Sequence, residues 1–157
     1  MWKPIQQFIE RHEAFLITSH IKPDGDAIGS EIALAQFLRQ SGKRVVIVNS
    51  TDMPDALRFL DPGNEIHVYS DRGSREMIDG VDAAIIVDVN NWEHLGHIGQ
   101  VLQNRSLPRA CIDHHQDTAP GFADYTVSDT SAAAVGLLIL ELVRAMNGRL
   151  TKPIAEA

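Results

Sequence analysis

Short apolar runs alternate with longer stretches of helical periodicity along this chain. Five runs rich in β-branched residues predict strands at 14–20, 44–50, 65–70, 83–89 and 110–115. Their centres are almost entirely apolar, which is typical of parallel strands that are covered on both faces. Helices are predicted over 27–40, 54–60, part of 92–103 and 131–146. The pattern therefore predicts an α/β fold, a parallel sheet of at least five strands with helices on both faces.

Composition narrows the class of protein. The 157 residues, with 44% hydrophobic positions, fit a single globular domain. The formal net charge of −7 argues against broad non-specific binding to duplex DNA, which depends on neutralising phosphates. The single cysteine, Cys111, cannot form an internal disulfide, and no signal peptide or membrane-length apolar run is evident. We therefore expect a cytoplasmic protein without a membrane segment.

Polar groups follow three of the five predicted strands. His20, Asp24 and Asp26 come after the first strand, Asp88 after the core of the fourth, and Asp113-His114-His115 after the fifth. In a parallel sheet the carboxyl ends of the strands share one edge, so these groups should converge. Carboxylates and imidazoles without thiolates suit Mn²⁺, or Mg²⁺ with more oxygen ligands. The sequence predicts a metal site at this edge.

A helix expected to begin near Ala27 would offer free N–H groups around Gly29 and Ser30 to an anion. Two metal ions beside a phosphate at a helix N-terminus is an arrangement used for phosphoester hydrolysis. Taken singly, Asp26 is better explained by an ordinary N-cap, and Asp24-Gly25 by an ordinary turn. The convergence of three strand ends favours the metal site over these separate explanations.

The strings HIKPDGDAIGS at 20–30 and DHH at 113–115, with Asp88 between them, resemble the DHH phosphoesterase family. The branch they are most similar to contains bifunctional oligoribonucleases and pAp phosphatases, rather than the RecJ exonucleases. The resemblance implies the metal ligands His20, Asp24, Asp26, Asp88 and His114. It also implies that Asp88 bridges two Mn²⁺ ions and that His115 contacts the scissile phosphate, which makes both catalytic. Asp113 would orient an imidazole, and Mg²⁺ is an alternative metal.

The chain departs from the family pattern in two places. The family's fourth-motif aspartate and its C-terminal DHHA1 domain are absent from these residues, so we expect a truncated DHH domain, inactive on its own. His94 stands where the family often has an arginine. We expect His94 and His97 on a solvated helix face. Asp117 and Asp124 are assigned to a loop, and Asp129 or Ser131 to the N-cap of the last long helix.

The resemblance implies hydrolysis of short oligoribonucleotides and of pAp-like 3′-phosphonucleotides. Alternatives are a polyphosphate, pyrophosphate or cyclic-dinucleotide-related phosphohydrolase, and a non-catalytic nucleotide-binding module. A glycine-rich dinucleotide fingerprint is absent from the sequence, so a nucleotide-cofactor oxidoreductase is not favoured. The expected partners are a short RNA or nucleotide substrate and the DHHA1 domain, and a homodimer stays open.

Overall fold

A single six-stranded parallel sheet forms the centre of the computed structural model, which describes residues 1–70, 72–116 and 118–157. The strands are β1 (Ala14–Thr18), β2 (Arg44–Asn49), β3 (Ile66–Val68), β4 (Ala83–Val87), β5 (Arg109–Asp113) and β6 (Tyr125–Ser128). Each neighbouring pair is parallel. The predicted α/β class and the sheet of at least five parallel strands are confirmed.

The strand order is β3-β2-β1-β4-β5-β6, so the chain builds outward from β1 on one side and from β4 on the other. This doubly wound order leaves a crevice beyond the carboxyl ends of β1 and β4, where the order reverses. His20 follows β1 and Asp88 follows β4, so the topology brings them to that crevice.

Helices cover both faces of the sheet. They are α1 (Lys3–Arg11), α2 (Gly25–Gln40), α3 (Arg72–Asp79), α4 (Gly96–Gln103), α5 (Val135–Ala145) and α6 (Lys152–Glu156), with 3₁₀ helices at Asp55–Leu60 and Glu93–Leu95. One core cluster joins α1, α2, α5 and α6 to alternate strand residues such as Phe15 and Ile85. The opposite cluster joins α3 and α4 to the intervening residues, such as Leu16 and Ile86. Within the described ranges, none of the helices has the length and apolar character needed to span a bilayer.

The elements that sequence patterning missed are short and mostly polar. Strand β6 buries only Val127 among its four residues, and the sequence of α3 has too few apolar residues to show helical periodicity. The last long helix begins at Val135 rather than 131, with Ala134 as its N-cap. The predicted capping by Asp129 or Ser131 is wrong, because Asp129 instead accepts hydrogen bonds from Ser131 in a local turn. Asp117 lies outside the described residues.

Candidate metal centre

Asp88 lies at the centre of the polar groups that collect at the carboxyl edge of the sheet. It directly follows β4, is 4% exposed and has a left-handed backbone with φ of 58°. One carboxylate oxygen, Oδ2, is 3.5 Å from His20 Nε2, and the other, Oδ1, is 3.5 Å from His114 Nε2. The carboxylate therefore stands between two imidazoles and presents a different oxygen to each.

The two imidazoles are held by backbone carbonyls on their far sides. His20 Nδ1 is 2.9 Å from the carbonyl oxygen of Ile21, and His114 Nδ1 is 3.0 Å from that of Ala132. A carbonyl oxygen only accepts, so each Nδ1 carries the proton that it donates. When each ring is neutral, its Nε2 has a free lone pair directed into the site, which is the form that binds a metal ion.

Asp24 and Asp26 approach from the start of α2. Asp24 is the N-cap residue, and its Oδ1 accepts hydrogen bonds from the N–H groups of Asp26 and Ala27. This fixes Asp24 with Oδ1 4.0 Å from His20 Nε2, while its side chain is 67% exposed. An ordinary N-cap role was the alternative explanation for Asp26. In the structure Asp24 is the N-cap of α2, and Asp24 also lies beside His20.

Asp26 caps a helix distant in sequence. Its Oδ2 accepts from Val135 N at 2.8 Å and its Oδ1 from Gly136 N at 3.0 Å, at the start of α5. Ala134 supplies no side-chain cap, so Asp26 satisfies the free N–H groups in its place. Its Oδ2 also lies 3.8 Å from His114 Nε2. The packing of α5 on α2 thus sets the position of Asp26 beside His114.

His115 is positioned by Asp113. The last residue of β5, Asp113, is fully buried, and its Oδ1 accepts from His115 Nδ1 at 2.8 Å. The expected role of Asp113 in orienting an imidazole thus falls on His115, whereas His114 is oriented by the Ala132 carbonyl. His115 is 56% exposed and lines the open side of the cavity, so it is available to a ligand.

The donor set fits divalent cations. Ligand atoms of His20, Asp24 and Asp88 lie within 4.8 Å of one another, as do those of Asp88, His114 and His115. In the part of the chain that the structure describes, the buried Asp88 Oδ1 has no hydrogen-bond partner. An unpaired buried carboxylate oxygen is energetically costly, and a bound cation would remove that cost. The groups line a cavity of about 560 Å³, large enough for metal ions and a phosphate group.

Comparison with known proteins assigns the family. Residues 14–157 match the model described as "DHH family, N-terminal domain". The chain belongs to the DHH family. The resemblance found in the sequence is thereby confirmed, and the match covers every residue of the site described above.

The DHH relatives are longer than this chain. The bifunctional oligoribonuclease and PAP phosphatase NrnA of Thermus thermophilus is 32% identical over 139 residues, which are 88% of this chain and 39% of that protein. The crystal structure of an exopolyphosphatase-related protein from Bacteroides fragilis has a TM-score of 0.83 at 26% identity, over 91% of this chain and 42% of that one. RecJ from Thermus thermophilus, solved in complex with Mn²⁺, has a TM-score of 0.50 at 15% identity, over 93% of this chain and 20% of that one, and shows the fold alone.

Two features of this DHH domain differ from the sequence predictions. Helix α2 begins at Gly25 rather than Ala27, so Gly29 and Ser30 lie in its second turn, where backbone N–H groups donate within the helix. Both residues are buried and neither lines the cavity, so the phosphate contact there stays a prediction that the position of the cavity does not support. His94 is exposed as expected, but it lines the cavity beside His115, which helical periodicity gave no means of predicting. His97 is also exposed and does not line the cavity.

The pairing of His20 with Asp88 predicts a pH dependence of stability in the metal-free chain. Contact with the Asp88 carboxylate is the main cause that raises the pKa of His20 to about 9, against the opposing effect of burial. A raised pKa stabilises the folded state below the unfolded-state pKa of about 6.5, and the stabilisation is lost as pH rises to about 9. At about 1.4 kcal/mol per pKa unit, the loss is at most a few kcal/mol.

Urea unfolding in a chelator at pH 6, 7.5 and 9 measures this loss. A second group also titrates in this range, because burial raises the pKa of Glu31 to about 7 and lowers stability as pH rises from about 4.5 to 7. Wild type is therefore compared with His20→Gln, in which the Glu31 contribution is retained. The difference between wild type and His20→Gln should shrink from pH 6 to pH 9. An unchanging difference would contradict the pairing.

Proposed function

We propose that this chain is the metal-binding domain of a phosphoesterase that hydrolyses short oligoribonucleotides and pAp-like 3′-phosphonucleotides. The observation that carries the proposal is the Asp88 carboxylate, whose two oxygens each lie 3.5 Å from the Nε2 of a different imidazole, close enough for each pair of atoms to coordinate one ion. Family membership and the name of the Thermus thermophilus relative support the substrate class.

Two groups of residues would each hold one divalent ion. His20, Asp24 and Asp88 form the first group, and Asp26, Asp88 and His114 form the second. Mixed imidazole and carboxylate ligands favour Mn²⁺, with Mg²⁺ as the alternative. When bound, such ions would supply a lowered pKa for a coordinated water and would neutralise charge on the phosphate.

His115 would contact the phosphate from the open side of the cavity. Its Nδ1 donates to the buried Asp113 carboxylate, which fixes the plane of the ring and leaves Nε2 for the cavity that the ring lines. A proton on Nε2 would make this atom a donor to a phosphate oxygen. A donor held in place before the reaction stabilises developing negative charge without reorganising.

His94 would supply a second donor at the rim. The Asn91 side-chain amide nitrogen lies 3.1 Å from His94 Nδ1, and because an amide nitrogen only donates, Nδ1 accepts and the neutral ring carries its proton on Nε2. The backbone carbonyl of His94 accepts from Ile21 N at 2.7 Å, which joins this turn to the loop that carries His20. His94 would therefore stand where the family often has an arginine, as an Nε2–H donor.

A polyphosphate or pyrophosphate substrate is the second candidate, supported by the name of the Bacteroides fragilis neighbour. A non-catalytic nucleotide-binding module is less favoured, because the five metal ligands expected from the resemblance lie together: His20 and His114 each face Asp88, and an aspartate faces each of these two imidazoles.

We place the substrate-holding DHHA1 domain in the part of the relatives that this chain does not cover. The lone buried Cys111 is consistent with a cytoplasmic location.

The test is a substrate panel with the product of the complete reading frame that contains this chain. In Mn²⁺, we expect turnover of RNA dinucleotides and of pAp, with little release of phosphate from polyphosphate or pyrophosphate. His94→Ala should reduce kcat/KM by about tenfold, less than the loss of about 10²–10³-fold for a fully enclosed transition-state donor, because His94 is exposed. His97→Ala should leave kcat/KM unchanged. Hydrolysis of polyphosphate but not of the nucleotides would contradict the proposed substrate class and support a polyphosphate or pyrophosphate substrate.

A further inference from the structure

A buried polar chain lies directly beneath the metal centre and contains no proposed ligand. It runs from Glu31 in α2 through Asn49, the last residue of β2, to Thr18 and Ser19 at the end of β1. Glu31, Asn49, Thr18 and Ser19 are all completely buried. A carboxyl group in such a position is rare unless it is paired, so its presence needs an explanation.

Asn49 continues the contact between β1 and β2 where the regular ladder stops. The paired register of the two strands ends at Ile17 and Ile47. Beyond it, Asn49 Oδ1 accepts from Thr18 Oγ1 at 3.1 Å and from Ser19 N at 3.2 Å. A side-chain oxygen therefore takes the place of a backbone carbonyl, at the residue immediately before His20.

Glu31 fixes which way the Asn49 amide is turned. Because Ser19 N is a donor, Asn49 must present Oδ1 to it and direct Nδ2 the other way. Nδ2 donates to Glu31 Oε2 at 3.0 Å, so the carboxyl group satisfies the amide and disfavours its flipped orientation. An apolar residue at position 31 would leave a buried amide donor unpaired.

The other donors of the same loop are also fixed from outside it. Ile21 N donates to the His94 carbonyl at 2.7 Å, and Lys22 N donates to Thr51 Oγ1 at 2.7 Å. Gly96 has φ of 59°, and a Cβ there would come within 2.8 Å of Ile21 Cγ2, so the turn that carries His94 packs tightly on the loop. Asn49 provides the inner anchor of this loop through Ser19, and the His94 carbonyl holds Ile21, so both residues that flank His20 are fixed.

We propose that Asn49, held in orientation by Glu31, is a positioning residue that fixes His20 against Asp88 and thereby sets the first of the two metal positions. The inference deepens the proposed function, because it assigns a cause to the geometry of that metal site. Small displacements of a ligand change metal affinity strongly, and loss of a group that orients a ligand typically costs about 10–100-fold in affinity. The effect should be confined to the group that contains His20.

The test compares Asn49→Leu, which keeps approximate shape and removes both polar contacts, with Glu31→Gln, which keeps an acceptor for the Asn49 amide. In the metal-free chain, Asn49→Leu should speed hydrogen exchange of the Ser19 amide and weaken the nuclear Overhauser contact between the His20 ring and Asp88. Calorimetry with Mn²⁺ should show affinity at the first site lowered about tenfold or more, and at the second site changed less than about twofold. His20→Ala and His114→Ala identify which binding event belongs to which site.

Glu31→Gln should behave as wild type in both measurements, whereas Glu31→Leu should behave as Asn49→Leu. Val48→Ala is the matched control, since Val48 is a buried neighbour on the same strand whose loss lowers stability without touching this polar chain. If Asn49→Leu does not fold, Asn49→Ala, whose smaller side chain can admit water, takes its place. An unchanged His20 contact with unchanged first-site affinity would overturn the proposal, as would an equal loss at both sites matching that of Val48→Ala. If wild type binds no Mn²⁺, the proposed function fails, and the metal-free contacts still decide the positioning role.

Discussion

Replacement of Asp88 by Asn is expected to abolish high-affinity binding of both metal ions while the fold is retained. The two oxygens of Asp88 face different imidazoles, so a single substitution removes a ligand from each group. Loss of an outer group that orients a ligand costs about 10–100-fold, so loss of a shared ligand should lower affinity by more than about 100-fold at both sites. Asn is preferred to Ala because it tolerates the positive φ of 58° at this position.

Calorimetric titration with Mn²⁺ measures this effect. Wild type should show two events of unequal affinity, with the second site weaker because both oxygens of Asp26 already accept hydrogen bonds from α5. Asp79→Asn is the charge-matched control: it removes a carboxylate that pairs with Arg105 and does not line the cavity, and it should change neither event. A variant at Asp88 that loses only one of the two events would show that this residue does not bridge.

Residues 1–157 alone are expected to hydrolyse RNA dinucleotides and pAp no faster than the Asp88→Asn variant. The chain spans 39% of the length of its Thermus thermophilus relative, and we propose that the remainder positions the substrate. Positioning can contribute about 7–11 kcal/mol to lowering a barrier, which is enough to separate measurable from undetectable turnover. His115 and His94 remain in the chain, but in the proposed function they would act on a phosphate only when it is held in the cavity.

The comparison is between this chain and the product of the complete reading frame, assayed side by side at saturating Mn²⁺. The product of the complete reading frame should turn over both substrates, and in it Asp88→Asn should abolish activity while His94→Ala costs much less. Robust turnover by residues 1–157 would show that the metal centre suffices without a second domain. The proposal that this domain holds the metal ions while a second domain positions the substrate would then have to be abandoned.

The ligand positions were predictable from sequence because of the parallel sheet. Apolar runs reveal strands, and residues after parallel strands share one edge, so His20, Asp88 and His114 converge without any knowledge of loop structure. The resemblance of the motifs to those of the DHH family added an expected role for each of these residues. The structure brings these groups together as expected, although the occupancy and number of ions stay predictions.

What sequence patterning missed depends on contacts between residues distant in the chain. The start of α5 is capped by Asp26, more than 100 positions earlier, so no local capping signal precedes Val135. His94 reaches the cavity because its turn packs on Ile21, and the partner of Asn49 is a helical glutamate that local periodicity treats as an ordinary surface residue. The predicted start of α2 is two residues too late, because Asp24 rather than Asp26 is its N-cap. The free N–H groups of the first turn were therefore expected near Gly29 and Ser30.

In the proposed metal centre, the single carboxylate of Asp88 holds two divalent ions at the carboxyl edge of β1 and β4. Anomalous scattering at the manganese edge, from crystals of this chain grown in Mn²⁺, tests it most directly. We expect two peaks, one on each side of Asp88, separated by about 3.5–4 Å, with His20 and Asp24 at one and Asp26 and His114 at the other. A single peak away from Asp88, or no peak in a cavity with well-ordered side chains, would contradict it.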